Sequence, residues 1–378
     1  MSVAVGLLRA LFQRTSGPSV AAGGEAGFDF TAAVPALLSA AGVADFVLAP
    51  ALHIEEGLPT LDWTAIRAWL STVPDAVEQA HAFAVAQRAW LAYLRDALGA
   101  GYGLMQRGNA LLLSSLEPVV ARATLDFMAR TAQRIPRVLD GLTQPPDWGH
   151  DILIVLDDED TYYRYVARYY PDSGDYATSG GMFIHQGCGH FVTRKADLHA
   201  IEPIIVHEMT HGYLEHLPLP LWLDEGLAVN TESRLSSATM LRGESRLVTH
   251  SVMQQHHQQH RQYWNAERMQ QFWSGQQFHA AGEGQALSYN LAALLVGQFA
   301  RNWDGFRAFV LHAEEADAGQ AAAVEYLGFE LGDAVGALLE RPDMAASWQP
   351  APESWSACSV ENSTVADAMP PAHNQRHN

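Results

Sequence analysis

The chain has 378 residues, of which 48% are apolar, so it can bury a substantial core in one or two domains. Its formal net charge of −19 argues against a nucleic-acid partner, because the phosphates of nucleic acids are neutralised by Lys and Arg. No run of roughly 18 or more apolar residues occurs, which predicts that no helix of the chain spans a membrane.

The beginning of the chain and its cysteines bear on the cellular compartment. Met1 to Ala10 is apolar, but no cationic residue precedes that stretch, and Arg9 and Arg14 come too late for an ordinary secretory signal. Cys188 and Cys358 are too few for a disulfide framework. We therefore expect the protein to reside in the cytoplasm.

The first hundred residues are rich in Ala and Leu, and their apolar spacing is typical of helices. Helices are predicted over Asp62–Leu70 and Ala76–Leu98, and the glycines from Gly99 to Gly103 end the second one. This pattern predicts an N-terminal helical region over residues 1–107.

An alternation of strands and helices follows that region. Ala110–Ser114 and Ile152–Leu156 are short apolar runs that predict buried strands. Between them, Glu117–Leu139 has the pattern of an amphipathic helix, in which Pro136 predicts a kink or an early end. Pro145 and Pro146 mark a loop before the second strand.

A capped helix and a hairpin come next. Asp157 to Asp160 can cap a helix over Thr161–Arg168, because their side chains accept hydrogen bonds from the first backbone N–H groups. Glycines surround two further apolar runs, Met182–Ile184 and Phe191–Val192, and this arrangement predicts a β-hairpin.

The string H-E-M-T-H at residues 207–211 lies in a predicted helix that begins near Glu202. Positions i and i+4 share one face of a helix, so His207 and His211 can direct two imidazoles at a single point. Glu208 is rotated by about 100° from His207, so its carboxylate can hold a water beside a metal without ligating the metal.

Glu225 is the best candidate for a third ligand from elsewhere in the chain. Two histidines, one carboxylate and an open fourth position describe a catalytic zinc site rather than a structural one. The sequence therefore predicts one zinc ion per chain, held by His207, His211 and Glu225. Glu208 is expected to be the general base that takes a proton from a zinc-activated water.

The segment W-L-D-E-G-L-A-V-N-T-E at residues 222–232, taken with H-E-x-x-H, resembles the gluzincin metallopeptidases. In that class one helix carries H-E-x-x-H and the next supplies a glutamate as the third zinc ligand. Thirteen residues separate His211 from Glu225, and this short gap is most similar to the compact bacterial peptidase MA-like families. The resemblance covers about residues 109–342.

The resemblance implies an α+β fold with a gluzincin-like (zincin) catalytic domain over residues 108–344. A small mixed sheet and the metal-binding helix would occupy residues 108–233, and an α-helical subdomain would occupy residues 234–344. Within that subdomain the apolar spacing predicts helices over Leu287–Asn302, Trp303–Glu314 and Gln320–Leu339, the last interrupted at Gly328 or Gly332. From residue 345 to 378 the composition predicts a disordered tail.

The resemblance also suggests roles for residues around the metal. Tyr289, at the start of a predicted helix, stands where related sequences place a tyrosine that stabilises the oxyanion; the alternative is a tyrosine that packs two subdomains together. Glu232 is expected to orient His207 or His211, because metal-bound imidazoles usually donate to a carboxylate. Asn230 is a weaker candidate for that role.

Two other groups contain metal-ligand residue types. His185, Cys188 and His190 lie in the Gly-rich hairpin without a fourth partner nearby, so an edge strand beside the cleft is favoured over a second zinc site. The His-rich tract at residues 251–271 could bind metal, but a solvated helix face or loop is favoured.

Two classes of function remain open. The first is an active zinc metallopeptidase that cleaves peptide or protein substrates, and the presence of all three ligands and the base favours it. The second is a catalytically inactive, metallopeptidase-like binding or regulatory protein that keeps the fold. A zinc hydrolase acting on a non-peptide amide is a third possibility. No G-A-M-E-N-type segment precedes His207, so aminopeptidase specificity is not expected.

Overall fold

The computed structural model describes residues 28–29, 35–144, 149–169, 181–196, 198–236, 257–279 and 282–355. The predicted loop at Pro145 and Pro146 lies outside the described residues. The same holds for the apolar N-terminal stretch, for residues 251–256 of the His-rich tract, and for residues 356–378 of the predicted tail.

The strands of the described residues form one mixed sheet and two small hairpins. They are β1 (Phe28–Asp29), β2 (Leu37–Leu38), β3 (Phe46–Val47), β4 (Leu52–Glu55), β5 (Leu58–Leu61), β6 (Gly103–Arg107), β7 (Ala110–Ser114), β8 (Asp151–Leu156), β9 (Gly181–Ile184) and β10 (His190–Arg194). The main sheet has six strands in the order β1-β6-β7-β8-β10-β9, so β9 lies at an edge.

The pairing within the main sheet explains the apolar runs of the sequence. β8 lies between β7 and β10 and is parallel to both, whereas β9 pairs antiparallel with β10. All of β8 is buried, because a central strand with parallel neighbours is covered on both faces. The predicted hairpin and both predicted buried strands are therefore confirmed.

Helices flank the sheet and form the C-terminal half of the described chain. They are α1 (Trp63–Leu70), α2 (Ala76–Leu98), α3 (Pro118–Val138), α4 (Glu159–Ala167), α5 (Leu198–Leu214), α6 (Leu221–Leu235), α7 (257–263), α8 (Ala266–Trp273), α9 (Gln276–His279), α10 (Glu283–Phe299), α11 (Trp303–His312), α12 (Gln320–Ala322) and α13 (Leu331–Leu338). The fold is thus mixed α+β, with a small sheet and helical regions, as predicted.

Side-chain caps account for several helix starts. The carboxylates of Asp62, Asp75 and Asp158 accept hydrogen bonds from backbone N–H groups in the first turns of α1, α2 and α4.

The four helices predicted before residue 170 are confirmed to within a few residues. α3 continues past Pro136 to Val138, one residue short of its predicted end, so Pro136 does not end the helix early.

The sheet separates two hydrophobic cores. Alternate residues of its central strands enter different cores: Leu112 and Leu153 enter one, and Leu111 and Ile152 enter the other. The first core also contains α3, α5, α6 and the C-terminal helices, and the second contains α1, α2 and α4. The helix that carries H-E-x-x-H therefore lies against one face of the sheet, with the N-terminal helices on the other.

The N-terminal region is not wholly helical as predicted. β2 to β5 form two short hairpins there, and β6 pairs with β7 in the main sheet. The predicted boundary after residue 107 cuts this last hairpin, whose turn contains Gly108 at a φ of +56°. The sequence analysis took Gly99 to Gly103 as a stop and missed β6, because its sequence G-L-M-Q-R is neither a continuous apolar run, as β7 is, nor an alternation of apolar and polar residues.

Three predicted helices differ in their bounds, one of them being the helix predicted over Leu287–Asn302, which is α10 over Glu283–Phe299. α5 begins at Leu198, one turn before the predicted start, and includes Pro203. The segment predicted as one helix over residues 320–339 is broken: a π-helical turn over Ala323–Leu327 ends at Gly328, whose φ is +80°. That left-handed conformation favours glycine and ends the helix, as the sequence allowed for Gly328.

The prediction of disorder from residue 345 is wrong for residues 345–355. This segment forms short 3-10 turns, and Trp348 within it is fully buried. Trp273 donates its Nε1–H to the Trp348 carbonyl at 2.8 Å, and the Gln270 side chain bonds to Gln349, Ala351 and Trp355. Contacts with α8, distant in sequence, order a segment whose composition alone suggests disorder.

No helix in the described part of the chain combines the length and the apolar character needed to cross a lipid bilayer.

Candidate metal centre

Two consecutive helices bring the predicted ligands together. His207 and His211 are one turn apart on α5, and their rings lie edge to face with centroids 4.9 Å apart. α6 begins at Leu221, directly after Pro220, and places Glu225 opposite the two imidazoles. The described link between the helices, residues 215–220, is short enough to keep them in contact.

The three side chains converge on one point. Glu225 Oε2 lies 3.1 Å from His207 Nε2 and 3.6 Å from His211 Nε2. One ligand atom from each residue lies within 4.8 Å of the others, and among the described residues no other group of three such side chains meets this condition. Glu225 is only 9% exposed, so the convergence point is largely shielded from water.

Each imidazole also contacts a second carboxylate through its other nitrogen. His207 Nδ1 lies 3.4 Å from Glu232 Oε2, and His211 Nδ1 lies 2.9 Å from Asp224 Oδ2. In each of the two rings this contact leaves the Nε2 atom facing Glu225. Glu232 is therefore beside His207 as the sequence suggested, whereas the sequence analysis missed Asp224. The only signal for Asp224 was its position immediately before the predicted ligand.

The surrounding carboxylates govern the charge of the site. Burial lowers the pKa of His207, but hydrogen bonds with Glu225 and Glu232 outweigh burial and raise that pKa to about 9. Burial also lowers the pKa of His211, and Asp224 and Glu225 together raise it well above its usual value. The pocket thus stabilises positive charge on the two imidazoles.

Glu225 shows the opposite behaviour. Burial raises the pKa of its carboxyl group, but the charges and hydrogen bonds of the two imidazoles hold that pKa far below its usual value. Glu225 is therefore ionised. Because the imidazoles that lower this pKa are protonated, a metal at this point would displace their Nε2 protons before the two nitrogens could coordinate it, and the ionised carboxylate would then face the cation.

Glu208 lies beside this group without belonging to it. Its side chain is 8% exposed, and the backbone N–H of Phe183 in β9 donates a hydrogen bond to its carboxylate. Burial is the largest influence on Glu208 and raises its pKa, because a charged carboxylate is less stable away from water. The side chain is thus held between α5 and the edge strand.

Tyr289 reaches the site from α10. Its hydroxyl group donates a hydrogen bond to Glu225 Oε1 at 3.3 Å, and its ring centroid lies 6.3 Å from that of His207. The same ring packs edge-on against Phe278 at 5.3 Å. Both roles considered for Tyr289 are therefore compatible with its position: the ring packs helices together and the hydroxyl faces the ligands.

Gly226 explains part of the W-L-D-E-G-L-A segment. A Cβ at this position would lie 2.6 Å from the Val296 side chain and 2.7 Å from the Ala292 carbonyl oxygen, so only glycine permits α6 and α10 to approach this closely. Asn230 donates to the carbonyls of Gly226 and Ala293, which binds the same helices together. Asn230 has no described contact with either histidine of the site.

The second cluster of ligand-type residues does not converge. His185 donates to Glu215, His190 contacts the Tyr165 hydroxyl group at 2.7 Å, and the Cys188 thiol accepts from Gln87. These side chains point to different neighbours, and β9 of this hairpin lies at an edge of the sheet, as the sequence analysis favoured. Burial of Cys188 raises the pKa of its thiol to about 12, so it stays protonated.

The described part of the His-rich tract is not a solvated face throughout. His260 is 1% exposed and bonds to both Asn290 and Trp264. Trp264 Nε1–H donates to His260 Nδ1, so His260 Nε2 carries the proton that Asn290 accepts. His260 is thus a buried contact between α7 and α10 rather than a metal ligand.

No protein-family model matches the chain, and no curated protein matches its sequence. The interpretation of the site therefore depends on the geometry and chemistry of its own residues.

Proposed function

We propose that the protein is a zinc-dependent metallopeptidase, in which His207, His211 and Glu225 hold one zinc ion per chain. The observation that carries this proposal is the convergence of two imidazole nitrogens and one carboxylate oxygen within 4.8 Å. The separations of 3.1 and 3.6 Å from Glu225 Oε2 to the imidazoles bracket the roughly 3.4 Å expected between two ligands of a tetrahedral ion with bonds of about 2.1 Å.

The kinds of ligand favour zinc over other metals. Two imidazoles with one carboxylate, and no fourth ligand among the residues that the structure describes, match catalytic zinc sites, whereas calcium and magnesium prefer oxygen ligands throughout. The carboxylates of Glu232 and Asp224 on the far sides of the imidazoles support the same choice, because such partners fix the ring orientation of zinc-binding histidines. A gluzincin-like fold and a place in the cytoplasm belong to this proposal as well.

Each residue at the site then has a chemical task. Bound zinc would polarise the substrate carbonyl and lower the pKa of water towards neutrality. The Glu208 carboxylate accepts the proton of the water that attacks the peptide carbonyl carbon. It then delivers that proton to the amide nitrogen as the C–N bond breaks. The Tyr289 hydroxyl group donates a hydrogen bond to the oxygen on which negative charge develops.

The open edge of β9 supplies a surface for the substrate. β9 pairs only with β10 among the described strands, so its other side can take an extended peptide as a further strand. The Phe183 N–H faces this side, since it donates to Glu208, and in an antiparallel strand the carbonyl of the same residue faces the same way. The Phe183 carbonyl can therefore hold a substrate N–H level with the general base.

The test is digestion of a proteome-derived peptide library with zinc analysis of the same protein. The native chain should carry about one zinc ion and cleave peptides. Glu208→Gln should retain the zinc and lose hydrolysis by a factor of about a hundred or more, because an amide cannot accept the proton. Glu267→Gln, a change of a first-turn glutamate of α8, serves as the matched control and should behave as the native chain does.

The outcomes separate the two open functions. Zinc content near one with no cleavage by the native chain would favour the inactive binding protein. Absence of zinc after gentle purification would contradict the metal site itself. Cleavage that persists in Glu208→Gln would show that the base is assigned to the wrong residue.

A further inference from the structure

A histidine and a glutamate outside the proposed metal centre meet where the end of β9 lies beside the end of α5. β9 lies beside α5: a Cβ at Gly181 would overlap the Ile204 side chain, and a Cβ at Gly212 would lie 3.7 Å from the Phe183 ring. Gly181 is thus level with the first half of α5 and Phe183 with the second half. The strand and the helix therefore run side by side in the same direction.

His185 is the first residue after β9 and continues its pattern. Side chains alternate along a strand, so His185 shares the face of Gly181 and Phe183 that is turned towards α5. Its ring lies edge-on to Phe183 at 4.4 Å, and its Nδ1 donates to Glu215 Oε1 at 3.1 Å. The side chains of His185 and Glu215 are 55% and 27% exposed, so both are accessible to a ligand.

Glu215 continues the strip of α5 that carries the two histidines and Glu208. It is the first residue after the helix and follows His211 by four positions. Relative to His207, an ideal helix rotates Glu215 by about 80° and Glu208 by about 100°. Glu215 therefore points between the histidines and β9, in nearly the same direction as the general base.

We propose that Glu215, oriented by His185, determines substrate specificity by binding a positively charged group on the N-terminal side of the cleaved bond. This inference rests on the proposed peptidase function. Glu215 forms its described ion pair with His185 and none with Lys or Arg within the described residues. A cationic substrate group would add a charge-assisted hydrogen bond to a carboxylate that is positioned but still partly open.

The position of the charge follows from the directions of the elements. An extended peptide pairs more stably with an edge strand in the antiparallel sense, so its N-terminal residues lie towards the end of β9 and His185. Glu215 is about 9 Å along the helix axis from the midpoint between His207 and His211. This length corresponds to between two and three residues of an extended chain.

The positive group can therefore be a Lys or Arg side chain within about three residues before the bond, or the free α-amino group of a peptide that begins there. The two sources have the same chemistry at Glu215. The two sources can be distinguished by acetylation of the peptide N-terminus, which removes the α-amino charge and leaves an Arg or Lys side chain charged.

The experiment is a comparison of cleavage-site profiles between variants. The probe is a peptide library made with a glutamate-specific protease, which retains internal Lys and Arg, and half of it is N-acetylated. The native chain should prefer a positive charge within three residues before the bond by about tenfold, which is about 1.4 kcal/mol. Glu215→Gln should lose this preference, Glu215→Lys should reverse it, and Glu267→Gln should keep it.

Kinetics on matched peptides complete the test. For a preferred peptide and its norleucine counterpart, Glu215→Gln should raise KM for the charged peptide and leave kcat within about twofold, because the contact binds the substrate remotely from the reacting bond. If the preference in Glu215→Gln equals that of the native chain, the inference is overturned while the proposed function stands.

A binding measurement keeps the inference testable without turnover. Immobilised Glu208→Gln protein should enrich peptides with a Lys, Arg or free N-terminus from the same library, and the Glu208→Gln/Glu215→Gln protein should not. Equal enrichment by the two proteins would overturn the inference. Loss of the preference on N-acetylation would assign the charge to the α-amino group, and its survival would assign the charge to a side chain; either result supports the inference.

Discussion

Asp224 and Glu232 contact the two histidines of the candidate metal centre at unequal distances, and this leads to a ranked prediction. Asp224 Oδ2 lies 2.9 Å from His211 Nδ1, whereas Glu232 Oε2 lies 3.4 Å from His207 Nδ1. The side chains are similarly exposed, at 27% and 31%. We therefore expect Asp224→Asn to weaken zinc binding more than Glu232→Gln, since the shorter contact orients its imidazole more strongly.

The magnitude follows from the chemistry of the replaced oxygen. Loss of a carboxylate behind a metal-bound imidazole lowers metal affinity by roughly 10- to 100-fold, or about 1.4 to 2.8 kcal/mol. Asp224 Oδ1 is buried and accepts no hydrogen bond from the described residues. Zinc on Nε2 fixes the proton of His211 on Nδ1, so an asparagine must keep its oxygen there and bury its NH2 group without an acceptor. Without zinc the imidazole can change tautomer and accept from that NH2 group, so the cost of 1–3 kcal/mol or so falls on the zinc-bound state. The Asp224→Asn effect should lie at the upper end of the range.

The assay is competition for zinc between the protein and a fluorescent chelator at one pH and ionic strength. Glu232→Gln is the matched comparison, and Glu267→Gln gives the baseline for an acid-to-amide change remote from the site. An equal or larger loss of affinity in Glu232→Gln would refute the ranking. Unchanged affinity in both variants would refute the assignment of these carboxylates as supports for the ligands.

Three further predictions concern catalysis, packing and acid stability. Tyr289→Phe should lower kcat about tenfold or more and leave KM and zinc content nearly unchanged, because the hydroxyl group would act on the developing oxyanion; equal kcat would leave Tyr289 a packing role only. Gly226→Ala should lower the free energy of unfolding by about 1–3 kcal/mol in urea titrations, since its Cβ meets the Ala292 carbonyl oxygen at 2.7 Å, whereas Gly297→Ala, with Asn230 Oδ1 at 3.4 Å from the added Cβ, should cost less. Burial lowers the pKa of His190 to about 4 from an unfolded value of about 6.5. Between these two pH values the unfolded chain binds a proton at His190 and the folded chain does not. As the pH falls through this window, His190 therefore lowers the free energy of unfolding by about 3 kcal/mol. His190→Gln should show a smaller difference in urea unfolding between pH 7 and pH 4.5 than the native chain, and an identical difference would contradict the assignment.

Local sequence patterns predicted the helices and strands whose formation depends on residues close together in the chain. The buried strands β7 and β8 are continuous apolar runs, and the starts of α1, α2 and α4 follow aspartates whose side chains cap them. The i, i+4 spacing alone placed His207 and His211 on one face of α5. These features were predictable because helix and strand geometry act over a few residues.

Other features depend on contacts between distant parts of the chain. β6 has neither an apolar run nor an alternating pattern, and the strands of the small N-terminal hairpins are short; these segments are strands because a partner is present. The ordering of residues 345–355 depends on the burial of Trp348 and on Gln270, which lies 79 residues before Gln349. The composition of a segment does not reveal whether another part of the same chain offers a surface on which the segment can pack.

The sequence by itself determined which side chains are candidates for metal ligands and for a base, because residue type and helical spacing fix the chemistry and direction of His207, Glu208 and His211. Only the tertiary structure decided which carboxylates reach them. The close approach of α6 and α10 at Gly226 sets where Glu225 and Tyr289 lie, and the sheet edge brings Phe183 to Glu208. Spacing along a helix is a property of the backbone, whereas distances between helices depend on the packing of residues far apart in the chain.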